Sequence, residues 1–249
     1  MSPTLNLRRL RYVEVLTTSK LLDSVLEVFK ERADDLTSSG WCVSDAQSLK
    51  WWGCLGSVDE IFITAVLVQL SRWEAVVKAL ENLKVRGLLS LDAINEADEG
   101  VLRDAIKPVG LRGVKTRRLK ELAIKVKEVG GLDKLSLLKD DELRDFLLSI
   151  DGIGEETADA LLLFAFNRAT IPISRYVVRV LSRVGVIEGF VSYEKLRKEL
   201  INTLNGDLYK LKLLYSGLTH VGKTTCLPKQ PDCMRCVLSR ICRSSTVKN

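Results

Sequence analysis

Four of the six cysteines lie within seventeen residues, in the tail segment "CLPKQPDCMRCVLSRIC". Cys226, Cys233, Cys236 and Cys242 are spaced C-x6-C-x2-C-x5-C. Four thiolates gathered on one centre suit either a cubane iron–sulfur cluster or a structural zinc, and spacing alone does not choose between them. Disulfides are uncommon inside cells. Cys42 and Cys54, far from the quartet, are therefore expected to be ordinary small core residues.

Elsewhere the pattern is helical. Apolar residues recur at three- and four-residue spacing over Leu22 to Glu31, Glu60 to Leu70, Trp73 to Leu83 and Val101 to Val109. The same spacing continues through Thr116 to Val129, Asp140 to Leu148, Glu155 to Phe166, Tyr193 to Leu204 and Tyr209 to Leu218. Asp141-Glu142 and Glu155-Glu156 place acid where a helix dipole prefers it. Gly87, Gly110, Gly130-Gly131 and Gly152 fall between the periodic stretches as stops. Strand signals are scarce. The expected fold class is all-α.

The chain has 249 residues, of which 46% are apolar and 28% charged, the balance of a globular protein with a sizeable core and not of a disordered one. No apolar run approaches the roughly 18–20 residues of a membrane span. The start, Met1 to Val13, lacks the apolar stretch and cleavage site of a secretory signal, so a cytoplasmic location is expected. Formal net charge is +6, with a pI near 9.0. Such an excess favours a polyanionic partner. Arg112, Lys115, Arg117, Arg118 and Lys120 concentrate it within nine positions, read either as a nucleic-acid patch or as a solvated helix face.

Two joints between helices are built on glycine, "VGLRGVKTRRLKELA" and "IDGIGEETADALLLFA". A turn of this kind leaves backbone N–H groups unpaired at the start of the next helix. Those donors and the positive dipole end can hold a phosphate oxygen.

The cysteine spacing with the glycine turn ahead of it resembles the endonuclease III family of helix-hairpin-helix DNA glycosylases. Together the two motifs are specific, and the likeness runs from about Leu22 to Cys242. "GIGEETADALLLFAF" is most similar to the branch of small monofunctional enzymes that remove alkylated bases. The resemblance implies two helical lobes, a central one over residues 57–168 and a discontinuous one from residues 1–56 and 169–249. It implies a [4Fe-4S] cluster on Cys226, Cys233, Cys236 and Cys242, within the loop 226–242. It also implies a monomer on double-stranded DNA, with the damaged base turned out of the stack into the cleft between lobes. Gly152, Ile153 and Gly154 would supply hairpin N–H donors. Lys115, Arg240 and Arg243 would contact the DNA backbone, Gln69 would occupy the gap left by the base or contact its partner, and Trp73 would line the base pocket. Trp73 otherwise reads as core, and His220 as a hydrogen-bonded structural residue.

Two positions depart from the family. Where bifunctional members carry a lysine that forms an imine with the sugar, this chain has Glu156, which cannot. Where the family places an aspartate that stabilises the charged sugar, "IPISRYVVRV" places Ser174. Losing such a group typically costs roughly a hundred- to a thousandfold in rate. Three readings follow: Glu156 supplies the carboxylate with Ser174 positioning water, a labile substrate leaves with little help, or the protein binds lesions without cutting. Plain helix residues, with Ser174 as an N-cap, are the alternative for both positions, and a zinc-stapled helical DNA binder is the third function class.

Overall fold

The computed structural model describes residues 7–247, with side chains from residue 19 onward. Among the described residues the chain is all-helical, with thirteen α-helices and one isolated bridge between Trp41 and Trp52. It divides into two compact units, Ser38–Pro172 and Met1–Thr37 with Ile173–Asn249.

The unit Ser38–Pro172 contains α3 (Val58–Leu67), α4 (Trp73–Val85), α5 (Leu91–Glu96), α6 (Glu99–Ala105), α7 (Arg112–Glu128), α8 (Leu132–Ser136), α9 (Asp140–Leu148) and α10 (Glu155–Phe164). Two of these are central. Every residue from Ile61 to Leu67 in α3 and from Ala158 to Phe164 in α10 is buried. A helix buried all round needs partners all round: α3 and α10 pack on each other, with α4 and α7 against α3 and α9 against α10. Each large apolar side chain buried on this pair contributes about 1.5–3 kcal/mol. Ser57 starts α3 by accepting from the Glu60 N–H at 3.1 Å, while the Glu60 carboxylate accepts from the Gly56 N–H at 2.7 Å. Asp98 caps α6 through the Gly100 and Val101 N–H groups.

The sequence reading assigns residues 38–56 to the lobe built from the termini. They pack instead in the central unit, because their tryptophans belong to its core. Trp41 and Trp52 stand 5.4 and 5.8 Å from the Phe164 ring. Cys42 and Cys54 are joined in a disulfide, with Cα atoms 5.4 Å apart. This corrects their reading as ordinary core cysteines: the Trp41–Trp52 bridge sets the two chain segments side by side at disulfide spacing.

The second unit contains α1 (Leu7–Glu31), α2 (Ala33–Leu36), α11 (Arg175–Val184), α12 (Tyr193–Thr203) and α13 (Leu208–Thr224), followed by the cysteine loop. Its centre is α13, which contacts α1 and α11. Close approach is possible because glycines face both neighbours. A Cβ on Gly217 would overlap the Phe29 ring, and one on Gly222 would overlap Tyr176.

Candidate nucleic-acid interface and cysteine loop

The second glycine joint forms a hairpin between α9 and α10. Its tight turn is set by Ile150, which accepts from the Ile153 N–H at 3.0 Å, and by Gly152 at φ +80°. That backbone suits glycine alone, and a Cβ there would also strike the Arg118 guanidinium. Ile153 is buried under the turn, so its N–H and side chain are both spent internally. This corrects its place among the phosphate donors. The N–H groups of Gly152 and Gly154 donate to no acceptor among the described residues. Gly154 is the N-cap of α10 and has no side chain to satisfy the first turn, leaving a positively polarised helix end.

Arg144 and Asp159 fasten the helices on either side of this hairpin. The Asp159 carboxylate also accepts from the Thr170 hydroxyl at 3.0 Å. Asp159 is fully buried and is therefore structural. Glu156 is exposed on the first turn of α10, beside Thr157.

Gln69, at the end of α3, is bound to the hairpin. Its Nε2 donates to the Gly152 carbonyl at 3.0 Å and to Thr157 Oγ1 at 3.4 Å. Its Oε1 accepts from Arg118 Nη1 at 2.7 Å. The amide expected to reach into DNA is thus engaged at both ends within the protein. Arg118 Nε is buried against Gly152 without an acceptor among the described residues. Next to Gln69, Leu70 is 85% exposed and left-handed, at φ +53°. For a leucine that conformation costs roughly 1–2 kcal/mol. Leu111, ahead of α7, is also exposed and left-handed, at φ +54°.

Lys115 is only 2% exposed. Its Nζ donates to the Leu67 carbonyl at 2.7 Å and to Ser71 Oγ at 2.6 Å. Burial, with Arg118 nearby, pushes its pKa down to about 8. This corrects its expected backbone contact with DNA: the ammonium closes the last turn of α3 and is shut off from solvent. Lys120 also turns inward, to the Asn95 and Ala97 carbonyls. Of the basic run, Arg112 and Arg117 are the exposed members.

Trp73 does not stand free to stack on a base. Its indole lies where side chains on Gly40 and Gly53 would be, and both glycines have positive φ. Its expected place in a base pocket is corrected to a cover over the disulfide-linked segment.

In the other unit, Ser174 is 1% exposed and accepts from the Val177 N–H at 3.3 Å. It is the N-cap of α11. This corrects its catalytic assignment, since a hydroxyl so enclosed and so used offers no surface to a substrate. His220 is half-buried, and burial holds its imidazole below the usual histidine range despite the Asp35 carboxylate.

The cysteine loop leaves the end of α13 and docks on the end of α11. Arg243 and Ser244 donate backbone N–H groups to Val184 and Arg183 at 3.3 and 3.1 Å. The Arg183 guanidinium donates to Cys226 Sγ at 3.3 Å and to the Leu227 and Pro228 carbonyls at 2.7 and 2.8 Å. The Arg183 carbonyl accepts from Cys242 Sγ at 3.2 Å. Arg179 holds the Cys226 and Gly222 carbonyls. Cys226, Cys233, Cys236 and Cys242 all line one cavity of ≈ 50 Å³. No group of three or more His, Cys, Asp or Glu among the described residues is arranged to hold a metal ion. Four thiols around one small cavity, with a guanidinium at its wall, nevertheless form a donor set suited to an anionic metal–thiolate group. Burial pushes the Cys236 and Cys242 thiols up, and the other cysteines push them the same way. Arg240 is exposed beside the loop. Arg243 is exposed and paired with Glu188 at 2.7 Å.

A family profile described as HhH-GPD superfamily base excision DNA repair protein matches residues 63–205. A Methanocaldococcus jannaschii protein named provisionally as a DNA repair glycosylase is 32% identical over 197 residues, covering 78% of this chain and 89% of that one. A solved trapped endonuclease III–DNA covalent intermediate has a TM-score of 0.67 at 20% identity, covering 97% of each chain. The H. pylori 3-methyladenine DNA glycosylase bound to 1,N6-ethenoadenine has a TM-score of 0.62 at 23% identity, covering 82% of this chain and 95% of that chain. At these identities the two solved structures establish the fold.

Proposed function

Since the chain belongs to the HhH-GPD superfamily of base excision DNA repair proteins, we propose that it binds damaged double-stranded DNA and releases the damaged base without cutting the strand. The observation that carries this reading is the hairpin. Gly152 and Gly154 present unclaimed N–H groups at the start of α10, the arrangement that holds a phosphate. Arg112 and Arg117, exposed on α7, add the charge a DNA backbone attracts.

Glu156 argues against strand cleavage. A carboxylate cannot form an imine with the sugar, so the reaction is hydrolysis. Water adds at the sugar C1′ while the glycosidic bond breaks, its electron pair leaves with the base, and the water's proton passes to a base. Glu156, exposed on the first turn of α10, is the carboxylate assigned to that proton. A cationic alkylated base is the substrate class that needs least help in leaving, in keeping with the likeness to the 3-methyladenine glycosylase.

Cys226, Cys233, Cys236 and Cys242 are the residues that would hold a [4Fe-4S] cluster. When bound, such a cluster supplies a rigid anionic cross-link for the loop. Arg183, donating to Cys226 Sγ, orients that cysteine and offsets part of the charge. Iron and acid-labile sulfide near four each per chain would support the cluster, and zinc without sulfide would replace it with a structural zinc.

Single-turnover assays on duplexes bearing alkylated bases, uracil, hypoxanthine, thymine glycol or oxidised guanine test the activity. Base release that falls at least about a hundredfold in Glu156→Gln is the expected result. Unchanged release would remove Glu156 from the chemistry. A second reading, lesion recognition without catalysis, is favoured by Ser174 serving as a buried cap where the family has a carboxylate. Tight lesion binding with no release on any duplex would select it.

A further inference from the structure

Cys42 and Cys54 close a clasp that the proposed chemistry does not use. Its two arms run antiparallel, "GWC" against "WWGC". Two backbone hydrogen bonds join them beside the sulfurs, from the Cys42 N–H to the Trp51 carbonyl at 2.9 Å and from the Gly53 N–H to the Gly40 carbonyl at 2.7 Å. A two-stranded ladder this short is marginal by itself, so the pairing depends on the S–S bond. The two ends of that bond differ. Cys42 is half-buried, whereas Cys54 is exposed and left-handed at φ +55°. A residue with a Cβ holds such a backbone only where its surroundings impose it, and the bond to Cys42 is one such restraint.

The clasp also seats the start of α4. The Trp73 indole lies against Gly40 and Gly53, the two residues of one rung. Arg72, the N-cap of α4, makes no side-chain cap bond, so the first turn relies on the seat under Trp73 in place of a cap. Just before it stands Gln69, bound to the Gly152 carbonyl of the hairpin. Opening the clasp therefore acts on a chain of contacts that ends at the hairpin.

We propose that Cys54 is a site of thiol–disulfide exchange, at which a dithiol reductant opens the clasp and loosens the seat of Trp73. A thiolate of the reductant attacks Cys54 Sγ, and the S–S bond breaks with its electron pair going to Cys42, which takes up a proton. The second thiol of the reductant then attacks the mixed disulfide and releases Cys54 as a thiol. Two electrons and two protons pass to the protein, and the reductant ends as a disulfide. Exposed disulfides are the ones open to this exchange. The consequence for duplex affinity rests on the DNA-binding reading given above, while the exchange itself does not.

All four tryptophans of the chain, Trp41, Trp51, Trp52 and Trp73, belong to the clasp or its cover, so intrinsic emission reports on it. Native protein is equilibrated with dithiothreitol and its oxidised form at a series of ratios, then alkylated and mapped by peptide mass. Cys42 and Cys54 should take label together, with emission moving to longer wavelength in step and returning on reoxidation. Cys42→Ser with Cys54→Ser keeps the tail quartet and should make emission insensitive to the reductant. Cys54 in Cys42→Ser should react with an aromatic disulfide at least about tenfold faster than Cys42 in Cys54→Ser. Anisotropy with a duplex carrying an abasic-site analogue should show binding at least about fivefold weaker after reduction. By reciprocity, a fivefold coupling means that this duplex lowers the reduction midpoint by about 20 mV. Trp73→Phe should remove most of that coupling and leave the labelling intact.

Cys42 and Cys54 that label fully in oxidised protein, or that resist reduction until the chain unfolds, would overturn the exchange site. Equal reactivity of the two single cysteines would overturn the choice of Cys54. Affinity independent of redox state would overturn the link through Trp73. If the protein binds no duplex in either state, the DNA-binding reading fails, and labelling and emission still decide the exchange site.

Discussion

Arg144 and Asp159 meet through two parallel contacts, Nε to Oδ1 and Nη2 to Oδ2, both at 3.1 Å. The carboxylate has no solvent exposure. The pair joins α9 to α10 directly behind the hairpin, so the angle at which the hairpin presents its donors depends on it.

Breaking that pair from one side should be severe. Arg144→Met takes the bidentate cation away from a buried carboxylate, and a loss of about 3–5 kcal/mol is expected. Arg144→Met with Asp159→Leu should recover much of it, because no charge is then stranded. Urea denaturation midpoints of the two single variants and the double variant test this. A double variant no more stable than Arg144→Met would contradict it.

Stability should rise with alkalinity. Burial brings Lys115 and Lys212 down to about 8 from the ordinary value of 10.5. Below pH 8 both are charged, and the folded state bears the cost of burying them. Between pH 8 and 10.5 the unfolded chain keeps protons that the folded chain has released, so raising pH favours folding. Each lysine should return on the order of 1–3 kcal/mol across that window. Denaturation at pH 7, 8, 9 and 10 measures the slope, and Lys115→Met should flatten it in part. A falling slope that Lys115→Met leaves unaltered would refute the burial account.

The Cys42–Cys54 disulfide closes a short loop, with a sequence separation of 12. Its removal should cost about 2–3 kcal/mol, chiefly by freeing the unfolded chain. Thermal melts of Cys42→Ser with Cys54→Ser, set against wild type, give the figure. Intact mass before and after reduction and alkylation of the denatured chain reports whether the bond is present.

Gly152→Ala should damage the hairpin twice over. It strains a φ of +80° and drives a methyl group into Arg118. A stability loss of roughly 1–3 kcal/mol, with duplex affinity reduced at least about tenfold, is expected in melts and anisotropy titrations. Gly154→Ala, at φ −91° with open space around it, should be far milder. Equal effects would show that left-handed backbone is not what this turn requires.

Much of the helical framework was legible in the sequence. The bounds read for Asp140–Leu148 coincide with α9, and the ends of α3, α4, α10 and α12 fall within a few residues of those read from periodicity. Helices α5 and α8 have six and five residues, too few turns to display a period. The thiol quartet was legible as well, because its members are close in sequence. Arg183 was not, since it reaches Cys226 across 43 positions. The Gln69–Gly152 link spans 83 positions and has no local signal. Lys115 was misread because the basic run was counted without its helical phase. Lys115 shares the buried stripe of α7 with Leu119, Leu122 and Val126, and the 3.6-residue period would have turned it inward. Ser174 shows the opposite lesson: the local rule that serine caps helices outweighed the family analogy.

The ten residues of α11 form a rod about 15 Å long, with Ser174 at one end and Arg183 at the other. Arg183 grips the first cysteine with its side chain and receives the last through its own carbonyl. Whatever loosens the thiol quartet therefore pulls on the far tip of this rod. A disturbance among the four sulfurs has a direct path along it to Ser174, which makes the Val177 amide a natural reporter of events at the cysteine loop.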